Sequence, residues 1–250
     1  MEFYIRTRGD NLDQGYRWVR MTEDGQQEPL EPPITRLPEA NDLIYGEDFS
    51  VLLVRIERQL VLQVTGLPVT ERSRRTRRNV QNILVCVAQP DEERILRGIA
   101  VAALRDDRPL AAILDEHVVA DAESSLGFRV QPDLPERLLG VRAQGMQEGI
   151  AGDERIGTDI DQYRRMLVEE LDTFTLPEKR AGTLVAVTRH RSHDVLKRAK
   201  VWRGLSDMPE PVVTAPAAKP SGGPANMGMI IVVIVVVIVV GLAGLVLIVL

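Results

Sequence analysis

Residues 229–250 read MIIVVIVVVIVVGLAGLVLIVL, an apolar run without one charged side chain, and they constrain the chain more than any other stretch. A hydrocarbon core of about 30 Å needs roughly 20 apolar residues in a helix rising ~1.5 Å each. Val and Ile dominate the run, and both are poor helix formers in water because their χ1 freedom is restricted. In lipid that objection fades, because an unpaired backbone amide costs several kcal/mol there and a lone apolar segment must close its own hydrogen bonds. Each Val, Ile or Leu near the centre of a span adds about −0.3 to −0.6 kcal/mol of insertion free energy. The run is therefore expected to be a single transmembrane helix, residues 228–250, that anchors the chain by its tail.

Three other signals resemble such a run. A secretory leader would be N-terminal, yet Met1–Arg6 is charged early and has no apolar core. A lipid-anchor signal would use Ser221, Gly222 and Gly223 as its small residues, but it requires entry to the secretory pathway. A cell-wall sorting signal would need an LPxTG motif just before the span, whereas Leu67-Pro68-Val69-Thr70 lies far upstream and is followed by Glu71. The expected topology is single-pass, with the N-terminal domain in the cytoplasm. Gly241 and Gly244 are three apart, so the Gly-x-x-x-Gly packing motif is absent.

Ahead of the span, residues 206–227 turn to Pro, Ala, Gly and Ser and read as a flexible linker. Extended at ~3.1 Å per residue, it reaches as far as about 60 Å. Residues 1–205 are then the folded domain. Strand-like runs fill its first third, at residues 2–8, 15–21, 50–57, 59–65 and 80–88. Helical patterns fill its middle, over residues 91–104, 109–121 and 159–174, the last with Ile160, Tyr163, Leu167, Leu171 and Phe174 as its inward stripe. A late strand at 183–189 and a short basic helix at 193–203 close it. The expected fold class is an α/β or α+β domain, strand-rich at first and helical in the middle, followed by one C-terminal transmembrane helix. Residues 22–42, acidic and Pro-rich, read as a long exposed loop.

The sharpest polar feature is the run Glu71-Arg72-Ser73-Arg74-Arg75-Thr76-Arg77-Arg78. Like charges this dense repel one another and predict an exposed loop. Guanidinium groups grip phosphate or carboxylate in two-pronged fashion, so Arg72, Arg74, Arg75, Arg77 and Arg78 are the candidate ligand-binding residues. The competing reading is a solvated surface balanced by the acidic 22–48 region. The net charge of −5 argues against general nucleic-acid binding.

Other chemistry is thin. His190 and His193 are three apart, as a metal pair on a helix would be, but no third histidine, cysteine or acidic motif completes the set. His117 reads as a core-edge histidine. The single Cys86, inside QNILVCVAQ, reads as a buried structural thiol and cannot form an internal disulfide. No Walker loop, Gly-x-Gly-x-x-Gly, Cys-x-x-Cys, His-Glu-x-x-His or nucleophile elbow occurs. No cofactor, metal or catalytic residue is assigned. The expected function is a non-enzymatic adaptor or sensor that meets a partner protein or anionic ligand at a membrane, with the bilayer itself contacted through residues 228–250. The alternatives are a membrane effector whose spans cluster and perturb the bilayer, and a membrane-tethered hydrolase centred on His117, His190 or His193.

Overall fold

The β-branched runs pair into one mixed sheet, seen in a computed structural model that describes residues 1–10, 15–22, 25–149 and 152–208. The strands are β1 (Glu2–Thr7), β2 (Arg17–Met21), β3 (Gln27–Glu28), β4 (Ser50–Ile56), β5 (Gln59–Pro68), β6 (Gln81–Ala88), β7 (Val118–Ala120), β8 (Phe128–Val130), β9 (Arg155–Thr158), β10 (Gly182–Thr188) and β11 (Arg203–Ser206). Nine of them form the sheet β3-β2-β1-β6-β5-β4-β10-β11-β9, and β7 pairs β8 separately. Neighbours from β3 to β10 run antiparallel, while β10, β11 and β9 are parallel. The domain is thus α/β, with both kinds of ladder in one sheet.

Side chains alternate between the two faces of a strand, and here both faces are covered. On one face Phe3, Ile5, Val51, Leu53, Leu62, Val64, Leu84 and Cys86 pack under helices. These are α3 (Glu93–Arg105), α4 (Asp107–His117), α5 (Leu134–Leu139) and α6 (Asp161–Thr173); α1 (Pro38–Asn41), α2 (Thr70–Thr76) and α7 (His193–Arg198) lie elsewhere. On the other face Tyr4, Leu52, Val54, Val61, Val85 and Ala186 pack with Ile34, Ala40, Leu43, Leu196 and Val201. This explains why the central strands read as unbroken apolar runs: a strand covered on both faces has no solvent side to alternate with.

Several expectations shift. The segment 22–42 is more than an exposed loop: it forms β3, a 3-10 turn at Pro33–Arg36 and α1, and it inserts Ile34 and Ala40, with Leu43 just beyond it, into the second core. The helix expected from Asp91 begins instead at Glu93, after a 3-10 turn at Pro90–Glu92 that starts at Gln89 in a capping box with Glu92. The stripe on α6 is only half inward. Leu167 and Leu171 are buried, but Ile160 and Tyr163 are 46% and 43% exposed, because the first turns of α6 overhang the sheet edge at β9. The strand β11, missed in sequence, hides in VWRGLS, where only four residues pair. Among the described residues no helix is long and apolar enough to cross a membrane. The apolar run at 229–250 and most of the linker lie outside the described residues.

Buried arginines lock the helical layer. Arg97 is fully buried and faces Glu93 at 3.0 Å, while its Nη1 donates to the Leu171 carbonyl at 2.5 Å and its Nη2 to the Gly145 carbonyl at 2.9 Å. Burial pulls its guanidinium below the usual arginine range, against the opposing pull of Glu93. At the next residue of α3, Gly98 lets the chain pass closely: a Cβ there would sit 2.5 Å from the Arg142 carbonyl carbon.

Candidate functional site

The arginine run folds as the helix α2, not as a loop. Its first amide, on Thr70, donates to the Asp115 carboxylate of α4 at 3.0 Å, which supplies the missing N-terminal acceptor from another element. The Ser73 hydroxyl donates to the Val80 carbonyl at 3.3 Å and accepts from the Val80 amide at 3.0 Å, tying the helix to the approach of β6. Arg77 ends α2 in the left-handed region at φ 53°.

The five arginines separate by role. Arg72, only 2% exposed, points inward, where Nη1 donates to the Arg8 carbonyl at 2.8 Å and Nη2 to the Asn82 Oδ1 at 3.1 Å. Burial lowers its pKa, while Asp115 and Asp10 partly offset the shift. Arg72 therefore holds α2 against the end of β1 and is not available to a ligand. Arg74 pairs with Glu71 at 3.4 Å on the helix surface, and Arg75 pairs with Asp10 at 2.8 Å. Arg77 and Arg78 are exposed and make no ion pair among the described residues.

Other residues join this corner, and the sequence reading did not single them out. Arg6 lies opposite Trp18 in the β1–β2 register. Its guanidinium stacks over Tyr16 at 5.4 Å and Trp18 at 6.0 Å, and Arg8 stacks over Tyr16 at 5.9 Å. Tyr16 also accepts from the Gln81 amide at 3.3 Å, only three residues after Arg78. Stacking holds a guanidinium plane while leaving its N–H edge free for an anion. Arg6, Tyr16, Arg17, Trp18 and Leu30 line a shallow 240 Å³ depression with one carboxylate, Glu31, at its wall. The alternation in EFYIRTR and YRW carried the signal, because residues two apart in a strand share a face.

A second polar cluster occupies the carboxyl ends of the parallel strands. Asp159 and Asp207 directly follow β9 and β11, whose last residues, Thr158 and Ser206, are register partners. Arg164 pairs with Asp159, and Arg189 pairs with Asp207 at 3.2 Å. Burial, with the neighbouring Asp159 carboxylate, raises the Asp207 pKa. Beside them the His190 ring bonds Asp48 and lies 4.9 Å from the Tyr45 ring.

The three histidines are not brought together. His117 bonds the Ile113 carbonyl at 2.7 Å and faces Asp133 at 3.5 Å. His193 starts α7 and lines a 620 Å³ groove at the β9 edge. Neither the His117 ring nor the His190 ring is bonded by a Ser, Thr or Cys side chain among the described residues, so no activated nucleophile is assembled there. Among those residues no group of three His, Cys, Asp or Glu side chains is placed to hold a metal ion. Cys86 is fully buried, and burial pushes its thiol far above the usual range.

No protein-family model matches the chain, and neither does any curated protein or solved structure.

Proposed function

We propose that the chain is a single-pass, tail-anchored membrane protein whose α/β domain binds a partner protein or an anionic ligand through the arginine corner, as an adaptor or sensor without chemistry of its own. The observation that carries this reading is the grouping of Arg6, Arg8 and Arg17 with Arg74, Arg75, Arg77 and Arg78 around a corner that Arg72 makes rigid. A charged surface with a fixed backbone presents guanidinium edges at low ordering cost, which favours recognition over mere solubility. The test is the fourfold variant Arg74→Glu, Arg75→Glu, Arg77→Glu and Arg78→Glu, with Arg72 left intact. Its unfolding midpoint should match the parent while capture of partners and anionic ligands is lost. Equal capture by both proteins would sink the reading.

A second reading, the membrane effector that clusters its spans, is favoured by a different observation. Ile160, Tyr163 and Met166 are exposed beside β9, whose outer edge has no strand partner among the described residues. An open edge flanked by apolar side chains suits self-association. Toxicity on expression that disappears when residues 228–250 are replaced by an unrelated span would support this version, and toxicity without any span would end it.

A further inference from the structure

We infer that the arginine corner docks the domain, one rim downward, onto the anionic phosphate headgroups of the same bilayer that holds the chain's own tail. The inference rests on the tail-anchor and arginine-corner readings above and adds what the corner meets.

The argument comes from topology. The register pairs Arg6 with Ile83, Pro68 with Gln81, Ser50 with Thr65, Val51 with Val187 and Thr188 with Ser206. These pairs place the end of β1, the start of β6, the end of β5, the start of β4 and the ends of β10 and β11 on one rim of the sheet. The arginine corner sits on that rim, at the Thr7–Asp10 and 70–81 segments. The last described residue, Met208, follows β11 on the same rim. Five neighbouring strand spacings separate β1 from β11, about 24 Å at ~4.8 Å each. A tether leaving at Met208 therefore starts on the side of the domain that carries the arginines. Its roughly 60 Å of extended reach is more than enough for that rim to lie on the membrane. The opposite rim, with the turn at Glu57 and Arg58, faces away.

Charge on the arginine half of the rim agrees with this orientation, while the carboxylates of its other half, Asp159, Asp207 and Asp48, are paired with Arg164, Arg189 and His190. Arg6, Arg8, Arg17, Arg77 and Arg78 make no ion pair among the described residues, although the whole chain carries a net charge of −5. Each basic side chain at an anionic leaflet adds about 1 kcal/mol of attraction, which decays within a Debye length. Tethering raises the effective concentration of the corner at the surface, so even a modest patch engages there.

The test uses the full chain in liposomes. The native Cys86 is buried, so a cysteine introduced at exposed Asn79 or exposed Arg58 is the residue that a dye labels. Energy transfer to a headgroup acceptor is compared in pure phosphatidylcholine and with 30 mol% phosphatidylserine as the probe, a fraction on the order of an anionic cytoplasmic leaflet. Transfer from position 79 should rise severalfold in the anionic vesicles, fall back in about 0.5 M salt, and exceed transfer from position 58. The fourfold Arg→Glu variant should abolish the rise. The matching fourfold Arg→Lys variant should keep it, because headgroup attraction is Coulombic, whereas a two-pronged protein site would lose binding with lysine. Equal transfer from position 79 in both vesicle types overturns the docking. If the fourfold Glu variant nevertheless loses a soluble partner, the corner reading survives and only the membrane assignment fails. Release of the chain by alkaline carbonate overturns the anchor and the docking together.

Discussion

At the β9 edge Arg203 lies buried between the Trp202 ring, 3.9 Å away, and the Glu170 carboxylate, 2.6 Å away. Across the sheet Arg77 and Arg78 stand in solvent. The same side chain serves as an internal strut in one place and as a presented charge in the other. What differs is the company: Arg203 also donates to the Asp153 and Trp202 carbonyls, at 3.0 and 3.1 Å, so nearly every N–H is satisfied without water. A buried charge is tolerated only when so satisfied, and removing its partner leaves it exposed to the full desolvation penalty. An exposed guanidinium has no such dependence. Within the run at 72–78 both cases occur a few residues apart, and Arg72 belongs with Arg203.

This contrast can be broken most forcefully at Glu170. Glu170→Ala strands Arg203 beside Arg155 and should cost about 3–5 kcal/mol, read as a fall in the urea midpoint by tryptophan fluorescence. A loss below about 1 kcal/mol would mean the buried pair is not the strut described. Next in size, Arg72→Ala leaves the Arg8 carbonyl and the Asn82 side chain unmatched and should cost about 1–3 kcal/mol. The same substitution at Arg78 should stay within about 0.5 kcal/mol. Arg77→Gly should act in the opposite direction, raising stability by about 0.5–1 kcal/mol, because glycine adopts φ 53° without the Cβ clash. That gain would accompany a loss of charge, separating folding from recognition in one residue. Arg155, half exposed while pairing with Glu170, should behave as a surface ion pair, and Arg155→Ala should cost under about 1 kcal/mol.

A further test is read at alkaline pH. Burial, with Glu2 beside it, pushes the Tyr4 phenol up to about 12. Between the unfolded value near 10 and about 12, the unfolded chain releases this proton while the folded chain keeps it, so stability falls as pH rises through that window. Tyr4→Phe should flatten that part of the profile, measured as unfolding midpoint against pH.

Much of the sheet was legible because β-branched runs and their turns are local signals: β1, β2, β4, β5, β6 and β10 lie within a residue or two of the expected bounds at most ends, although β5 runs on to Pro68. What the sequence hid depends on distant partners. Asp115 completes the first turn of α2 from forty-five residues away, so local charge density argued for a loop where a helix stands. Arg72 looked like its neighbours because nothing nearby in sequence announces the Asn82 and Arg8 acceptors. Ile160 and Tyr163 fitted a helical stripe, yet periodicity cannot tell where a sheet ends and a helix overhangs it. The arginine corner was half visible. The run at 71–78 was conspicuous, whereas Arg6, Arg8 and Tyr16 needed the β1–β2 register to be seen as one face.

The two outer strands of the sheet differ in a way that sets a limit on stoichiometry. β3 has only two residues, and the Gln27 side chain beside that edge is occupied by the Val130 backbone, donating at 2.7 Å and accepting at 3.0 Å. β9 has four residues and faces outward. A sheet with one adhesive edge can join a second copy edge to edge only as a closed pair. Growth into a filament would need a second usable edge, and the short β3 supplies almost none. If β9 edges pair, this geometry joins two copies, so any larger cluster of spans needs a contact other than the sheet edge.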